Sequence, residues 1–234
     1  MRRALWILCA VFASACAASS AAPESRSWKA LLYRHGVTDE RVVQAMDKVR
    51  RADFLPSSVR DLEYEDRPLP IGYDQTTSQP SLIAMMIAAL ELRPGCRVLE
   101  VGTGSGYQTA LLAELCSAVS SIEIVAPLAE RAAVRLRELG YRNVKVKAGD
   151  GYLGWREQAP FDGIVVSASA PKVPEPLVAQ LKPGGKMIIP ISEGVHGELL
   201  LLTKQVDGGH VAQRSLPVSF VPMTGEHADR DRRK

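Results

Sequence analysis

Metal-ligand patterning is missing from this sequence. Its four histidines (His35, His196, His210 and His227) are scattered, and no spacing among them or the four cysteines resembles a zinc site, so no metal is expected. Charge of one sign is scarce too. Lys plus Arg number 29 against 26 Asp plus Glu, a net +3, and setting aside Arg2 and Arg3 leaves about +1, too weak to point to nucleic acid. No internal repeat is visible. No apolar run is long enough for a comfortable bilayer span, so no permanent transmembrane anchor is expected. What is present is core-forming material: 46% of the residues are hydrophobic, ample for a packed interior. A chain of 234 residues accommodates one large α/β domain more readily than two small ones.

The N-terminus has the grammar of an export signal. Met1-Arg2-Arg3 is a basic lead, Ala4 to Phe12 is apolar, and Ala13-Ser14-Ala15 offers small residues for cleavage, with Ser20-Ala21-Ala22 as a second site. Cys16 loosely matches a lipoprotein box in which Ala13 stands where Leu is usual. Residues 1–22 are therefore expected to be a signal peptide, and the mature protein to be periplasmic or secreted. Export leaves Cys96 and Cys116 in a compartment where disulfides persist. A bridge between them is geometrically possible, although two buried thiols are the preferred expectation.

The mature chain changes rhythm near Pro94. Before it, helical patterns dominate: Ser27 to His35, then a helix capped by Thr38 with Val42, Val43, Met46 and Val49 at helical spacing. A Pro-punctuated loop from Arg67 to Gly72 follows, and then an apolar helix from about Ser81 to Leu92. After Pro94 strand and helix alternate. Strands are predicted at Arg97–Val101, Ala118–Ile124, Val144–Ala148, Phe161–Ser167 and Lys186–Ile191, with helices at Tyr107–Cys116 and Leu128–Leu139. Leu199–Gln205 and Gln213–Phe220 read as a final antiparallel pair. Such alternation predicts a mostly parallel sheet with helices on both faces.

Chemistry concentrates at the strand ends. The first strand runs into Glu100-Val101-Gly102-Thr103-Gly104-Ser105-Gly106, where glycine lets the backbone approach a ligand closely. Glu123 ends the second strand, 21 residues after Gly102, where an acid can accept both ribose hydroxyls of a nucleoside. The spacing is G-x-G-x-G, without the third glycine of a dinucleotide fingerprint. Glu100 before it would oppose a pyrophosphate but suits a cation. S-adenosylmethionine, with its ammonium and sulfonium, is therefore the expected cofactor. At the third strand end, Asp150 can accept from the adenine amino group and Gly151 permits close approach; an ordinary Asp-Gly turn is the alternative.

At these residues the chain resembles the protein-L-isoaspartate O-methyltransferase family. The discriminating matches are Leu69-Pro70-Ile71-Gly72 with Gln75-Thr76-Thr77-Ser78-Gln79-Pro80, and Gly149-Asp150-Gly151-Tyr152 with Gly154-Trp155. Ala159-Pro160-Phe161-Asp162, Ser167 to Pro171 and Phe220-Val221-Pro222-Met223-Thr224 add to them, so the resemblance covers about residues 28 to 226. Thr77 departs from the family's usual Ile, and Ser169 from a common Ala. The resemblance implies a Rossmann-like methyltransferase sheet and methyl transfer from S-adenosylmethionine to isoaspartyl carboxylates in damaged proteins. It divides the chain into a helical segment with the active-site loop (23–92), a cofactor-binding core (93–226) and a charged flexible tail (227–234). It also implies a monomer.

Ser78 is expected at the catalytic centre, orienting the substrate carboxylate, with a helix N-cap as its other reading. Ser167 and Ala168 are expected to receive the peptide. Thr76, Glu100, Gly102, Gly104, Glu123, Asp150, Gly151 and Thr224 are expected around the cofactor; for Thr224 plain C-terminal packing is the alternative. The competing functions are a non-catalytic exported binding protein on the same fold and a methyltransferase acting on another carboxylate.

Overall fold

The computed structural model describes residues 27–192 and 197–228; the expected signal peptide and Cys16 lie outside them. The chain opens with helices α1 (Lys29–Arg34) and α2 (Glu40–Lys48). Asp39, not the expected Thr38, caps α2, its carboxylate accepting from the Arg41 amide at 2.9 Å. Two short 3₁₀ turns, Arg51–Phe54 and Ser57–Leu62, follow.

The region read as a Pro-punctuated loop is a hairpin, β1 (Leu69–Gly72) against β2 (Gln75–Thr77), in which Leu69 pairs with Thr77 and Pro70 with Thr76. Pro70 is tolerated because a two-stranded ribbon leaves outward amides unpaired. Tyr73 and Asp74 at its tip have φ of 55° and 56°. Positive φ at both central residues is the mark of a type I′ turn, usually supplied by Asn-Gly. Helix α3 (Pro80–Ala89) comes next, apolar all round and correspondingly buried.

From there strand and helix alternate: β3 (Arg97–Val101), α4 (Tyr107–Leu115), β4 (Ala118–Glu123), α5 (Ala126–Glu138), β5 (Val144–Ala148), β6 (Phe161–Val166), α6 (Glu175–Ala179), β7 (Leu181–Ile191), β8 (Gly197–Lys204) and β9 (His210–Val218). The sheet order is β5-β4-β3-β6-β7-β8-β9. The first five of these pair in parallel, and β8 and β9 antiparallel, as the alternation predicted.

Strand parity separates two cores. Val98, Val165 and Ile188 face one side, packing with Leu32, Met46, Ile83, Ile87 and Leu111 from the helices α1 to α4. Leu99, Val101, Ile164, Met187 and Ile189 face the other, against Leu177 and Val178 of α6, Tyr152 and Met223. The N-terminal helices thus share one core with the sheet. At the far end the docked chain extends further than expected, because Ala228 is fully buried and His227 contacts Asp150.

Cys96 and Cys116 form a disulfide, correcting the preference for free thiols. The parallel register explains the meeting. Arg97 lies opposite Ala118, and the amides of Ser117 and Ala118 donate to the Cys96 carbonyl at 2.9 and 3.3 Å. The residues just before β3 and β4 are therefore neighbours whatever their oxidation state.

Candidate active site

Strand order reverses between β3 and β6, since the chain passes outward from β3 to β4 and β5 and then returns to β6. Ligands of open α/β sheets bind beyond the strand carboxyl ends at such a point. A cavity of about 290 Å³ opens there. Its floor is the loop after β3, from Gly102 to Ser105; Glu123 to Val125 after β4 form one flank, and Ser167 and Ala168 after β6 the other. Two further walls come from distant parts of the chain: Ile71 and Asp74 to Ser78 of the hairpin, and Val221 to Thr224 near the C-terminus. The last segment is held by backbone pairing, Ser169 amide to Val221 carbonyl and Met223 amide to Ser169 carbonyl, both at 2.8 Å.

Glycine is required at two of these positions. Gly102 has φ of +97°, and a Cβ there would lie 3.2 Å from the Ser167 Cβ. At Gly151 a Cβ would fall 2.4 Å from Val101 Cγ1, so any side chain displaces the strand end.

Glu123 is the organising acid. It is 5% exposed, and its oxygens accept from the Gly104 amide at 2.8 Å and the Val125 amide at 3.0 Å, joining the loops after β3 and β4. Each oxygen retains a second lone pair for a ligand hydroxyl. Thr76, Ser78, Gly102, Gly104, Gly151, Ser167, Ala168 and Thr224 also line the cavity. The helix-cap reading of Ser78 is not realised: Gln79 occupies the N-cap of α3, its side chain donating to Ser81 Oγ at 3.0 Å and not capping a helix amide, while Asp66 accepts from the Ser81 amide at 2.8 Å and its hydroxyl at 2.7 Å.

Two expected cofactor acids are placed differently. Glu100 is fully buried and absent from the cavity wall, its carboxylate accepting from Thr109 Oγ1 (2.5 Å), Ser121 Oγ (2.6 Å) and Gln108 Nε2 (3.0 Å). Burial pushes its pKa up to about 7 despite these three donors. The acid that was expected to line the loop acts instead through Gln108, whose Nε2 also donates to Ser167 Oγ at 3.0 Å and which does line the cavity. Asp150 likewise turns from the cavity. One oxygen accepts from the Tyr152 amide at 2.9 Å, and the other lies 3.1 Å from His227 Nδ1, under Gly225. The C-terminal segment, docked further than the sequence suggested, occupies the carboxylate that was expected to meet adenine.

Sequence reading missed Gln108 and Arg51. Gln108 carries no motif of its own. Arg51 sits in the charged run Arg50-Arg51-Ala52-Asp53, which reads as solvated surface, yet it is 1% exposed.

Comparison with known proteins agrees with the geometry. The family model described as Protein-L-isoaspartate(D-aspartate) O-methyltransferase matches residues 28–228. Protein-L-isoaspartate O-methyltransferase 2 of Syntrophobacter fumaroxidans is 54% identical over 190 residues, covering 81% of this chain and 77% of its own. The Gloeobacter violaceus Protein-L-isoaspartate O-methyltransferase is 49% identical over 195 residues, 83% of this chain and 95% of its own. Among solved structures, a protein-L-isoaspartate O-methyltransferase superposes with TM-score 0.79 at 32% identity, covering 87% of this chain and 68% of that one. Another, described as such an enzyme from Plasmodium falciparum in complex with S-adenosyl-L-homocysteine, gives TM-score 0.72 at 30% identity, covering 85% of this chain and 99% of that one. With a family match spanning nearly every described residue and relatives at about half identity, this chain belongs to the protein-L-isoaspartate O-methyltransferase family.

Proposed function

We infer that the chain methylates the free α-carboxylate of L-isoaspartyl residues in damaged proteins, with S-adenosylmethionine as donor. The observation that carries this reading is convergence. The family's discriminating segments, residues 69–80 and 220–224, wall the same cavity as the glycine loop and Glu123, although they come from opposite ends of the chain.

S-adenosylmethionine supplies an electrophilic methyl group when bound. We assign Glu123 to the ribose hydroxyls, Gly102 and Gly104 to close backbone approach, Gly151 to the nucleobase side, and Thr76 and Thr224 to the cavity rim. The acceptor oxygen needs little activation, because a peptide α-carboxyl has a pKa of about 3.3–3.7 and is ionised at neutral pH. The cavity wall accordingly carries no His, Cys or Lys among the described residues, and burial pushes the Tyr107 hydroxyl still further from acting as a base. What the chain contributes is orientation. Ser78 on one wall and Ser167 on the other present hydroxyls to the carboxylate, while Val221, Pro222 and Met223 limit water. Holding reacting groups in line is worth about 7–11 kcal/mol in favourable cases. The ester formed then expels methanol when the neighbouring backbone amide nitrogen attacks it. That closes a succinimide, whose hydrolysis returns some normal aspartate.

The test uses the chain without residues 1–22, labelled S-adenosylmethionine, and paired peptides differing only in Asp or isoAsp. Base-labile label on the isoAsp peptide alone is expected. Cofactor binding with neither peptide labelled would replace the enzyme with a binding protein.

We also propose that the protein is exported and works as a monomer in the periplasm or outside the cell, with lipidation at Cys16 as a further variant. The basic-apolar-small N-terminus and the Cys96–Cys116 disulfide support export, since such bonds persist in oxidising compartments. Protein taken from its source cell, denatured and alkylated without reductant should leave both cysteines unmodified. Alkylation of both would remove the support that the disulfide lends. Sedimentation at the mass of one chain tests the monomer.

A further inference from the structure

Behind the substrate side of the cavity lies a buried cation with no role in the chemistry described so far. Arg51 is among the largest fully buried side chains, at 1% exposure. Its Nη1 donates to the Glu65 carbonyl at 2.8 Å and, more weakly, to that of Glu63 at 3.4 Å. Its Nη2 donates to the Arg67 carbonyl at 3.0 Å and the Ser78 carbonyl at 3.2 Å. All four acceptors are backbone oxygens. Burial lowers its pKa and Nε has no hydrogen-bond partner, so the charge is held at a cost and only in part compensated.

The two oxygens sharing Nη2 are informative. Arg67 precedes β1 and Ser78 follows β2, so one nitrogen gathers both ends of the hairpin that walls the cavity. The hairpin's own pairing is short, with an irregularity between Pro70 and Gly72 and positive φ at both tip residues. Its base, rather than its tip, therefore fixes where Ser78 stands. Planar guanidinium geometry suits this task, because it spreads donors in a fixed fork that an ammonium lacks. Apart from Thr76 of the hairpin, the cofactor side is built on β3 and β4, and among the described residues it makes no hydrogen bond to Arg51.

We propose that Arg51 is the positioning residue for the methyl-accepting half of the site, setting Ser78 opposite Ser167 by tying the two ends of the hairpin to one guanidinium. The proposal rests on the isoaspartyl reading of the cavity. It also separates peptide turnover from cofactor binding, which a purely structural staple would not do.

The experiment compares the signal-free chain with Arg51→Lys, measuring kcat and KM for an isoAsp peptide, calorimetric affinity for S-adenosylhomocysteine, and Tm. A displacement on the order of 1 Å at a reacting group costs about a hundredfold in rate. Arg51→Lys should accordingly lose about a hundredfold in kcat/KM while S-adenosylhomocysteine affinity changes by less than about threefold. Arg51→Gly, folded with guanidinium ion present, should lose peptide turnover as the ion is dialysed away and recover it on return. Peptide turnover and cofactor affinity falling in parallel would overturn the proposal, as would unchanged turnover in Arg51→Lys. Failure of Arg51→Gly to fold even with guanidinium would assign the residue to folding alone. An inactive parent chain would instead defeat the isoaspartyl reading itself.

Discussion

Glu123→Ala is expected to bind S-adenosylhomocysteine at least about a hundredfold more weakly than the parent chain and to lose methyl transfer to a similar degree. Hydrogen bonds to a charged group contribute about 1.5–3 kcal/mol each. The substitution removes two inside the protein, to the Gly104 and Val125 amides, and with them the tie between the loops after β3 and β4. It also removes the acceptor that we assign to the ribose hydroxyls. Because the side chain is 5% exposed, water does not readily replace what is lost. Glu123→Gln, which keeps one acceptor oxygen and introduces a donor, should fall between the two. Calorimetry decides the matter: affinity within about threefold of the parent in Glu123→Ala would show that the carboxylate serves the loops and not the ligand.

Glu100 should write itself into the pH dependence of stability. Its carboxyl titrates at about 7 in the folded protein against an ordinary 4.5, raised chiefly by burial. Between those values the folded state holds a proton that the unfolded state has released. Stability therefore falls as pH rises through the window, and the contribution present below 4.5 is gone above about 7. The displacement corresponds to about 3 kcal/mol, which in a chain of this size is on the order of 6–12 °C in Tm. Glu100→Gln keeps the shape and cannot titrate, and the hydroxyls of Thr109 and Ser121 can rotate to serve an amide. Its Tm relative to the parent should climb by that amount between pH 4.5 and 8. Parallel Tm curves for the two proteins would mean that Glu100 titrates in its ordinary range.

These two acids also show what could be read in advance. Glu123 ends its strand and faces the cavity, so its position in the motif was enough. Glu100 lies one residue before the strand end, and parity settles its direction. In β3 it alternates with Leu99 and Val101 and shares a face with Val98, on the side where α4 packs. Strand parity is readable in the sequence, and it outranks the electrostatic argument for an acid-lined loop. The parallel strands were legible by two signals: β3 is a buried central strand and a short apolar run, while β5, at the sheet edge, alternates Val with Lys, and both occupy the residues expected of them. The hairpin was not, since Pro68, Pro70 and Gly72 all signal a loop and Tyr73-Asp74 lacks the usual turn chemistry. Arg51 left no trace either. Its partners are backbone carbonyls, which have no side-chain identity to read. The disulfide depended on register, a property of two strands that neither segment declares alone.

The cavity is walled by residues 71–78 on one side and 221–224 on the other, and this sets a condition on how the enzyme comes into being. A chain emerging from its N-terminus can form the hairpin and the glycine loop long before the segment that limits water exists. An incomplete polypeptide thus has half an active site, and activity begins only when the last turn has docked against Ser169. If the chain crosses a membrane unfolded, it leaves any cofactor behind and must acquire it where folding finishes.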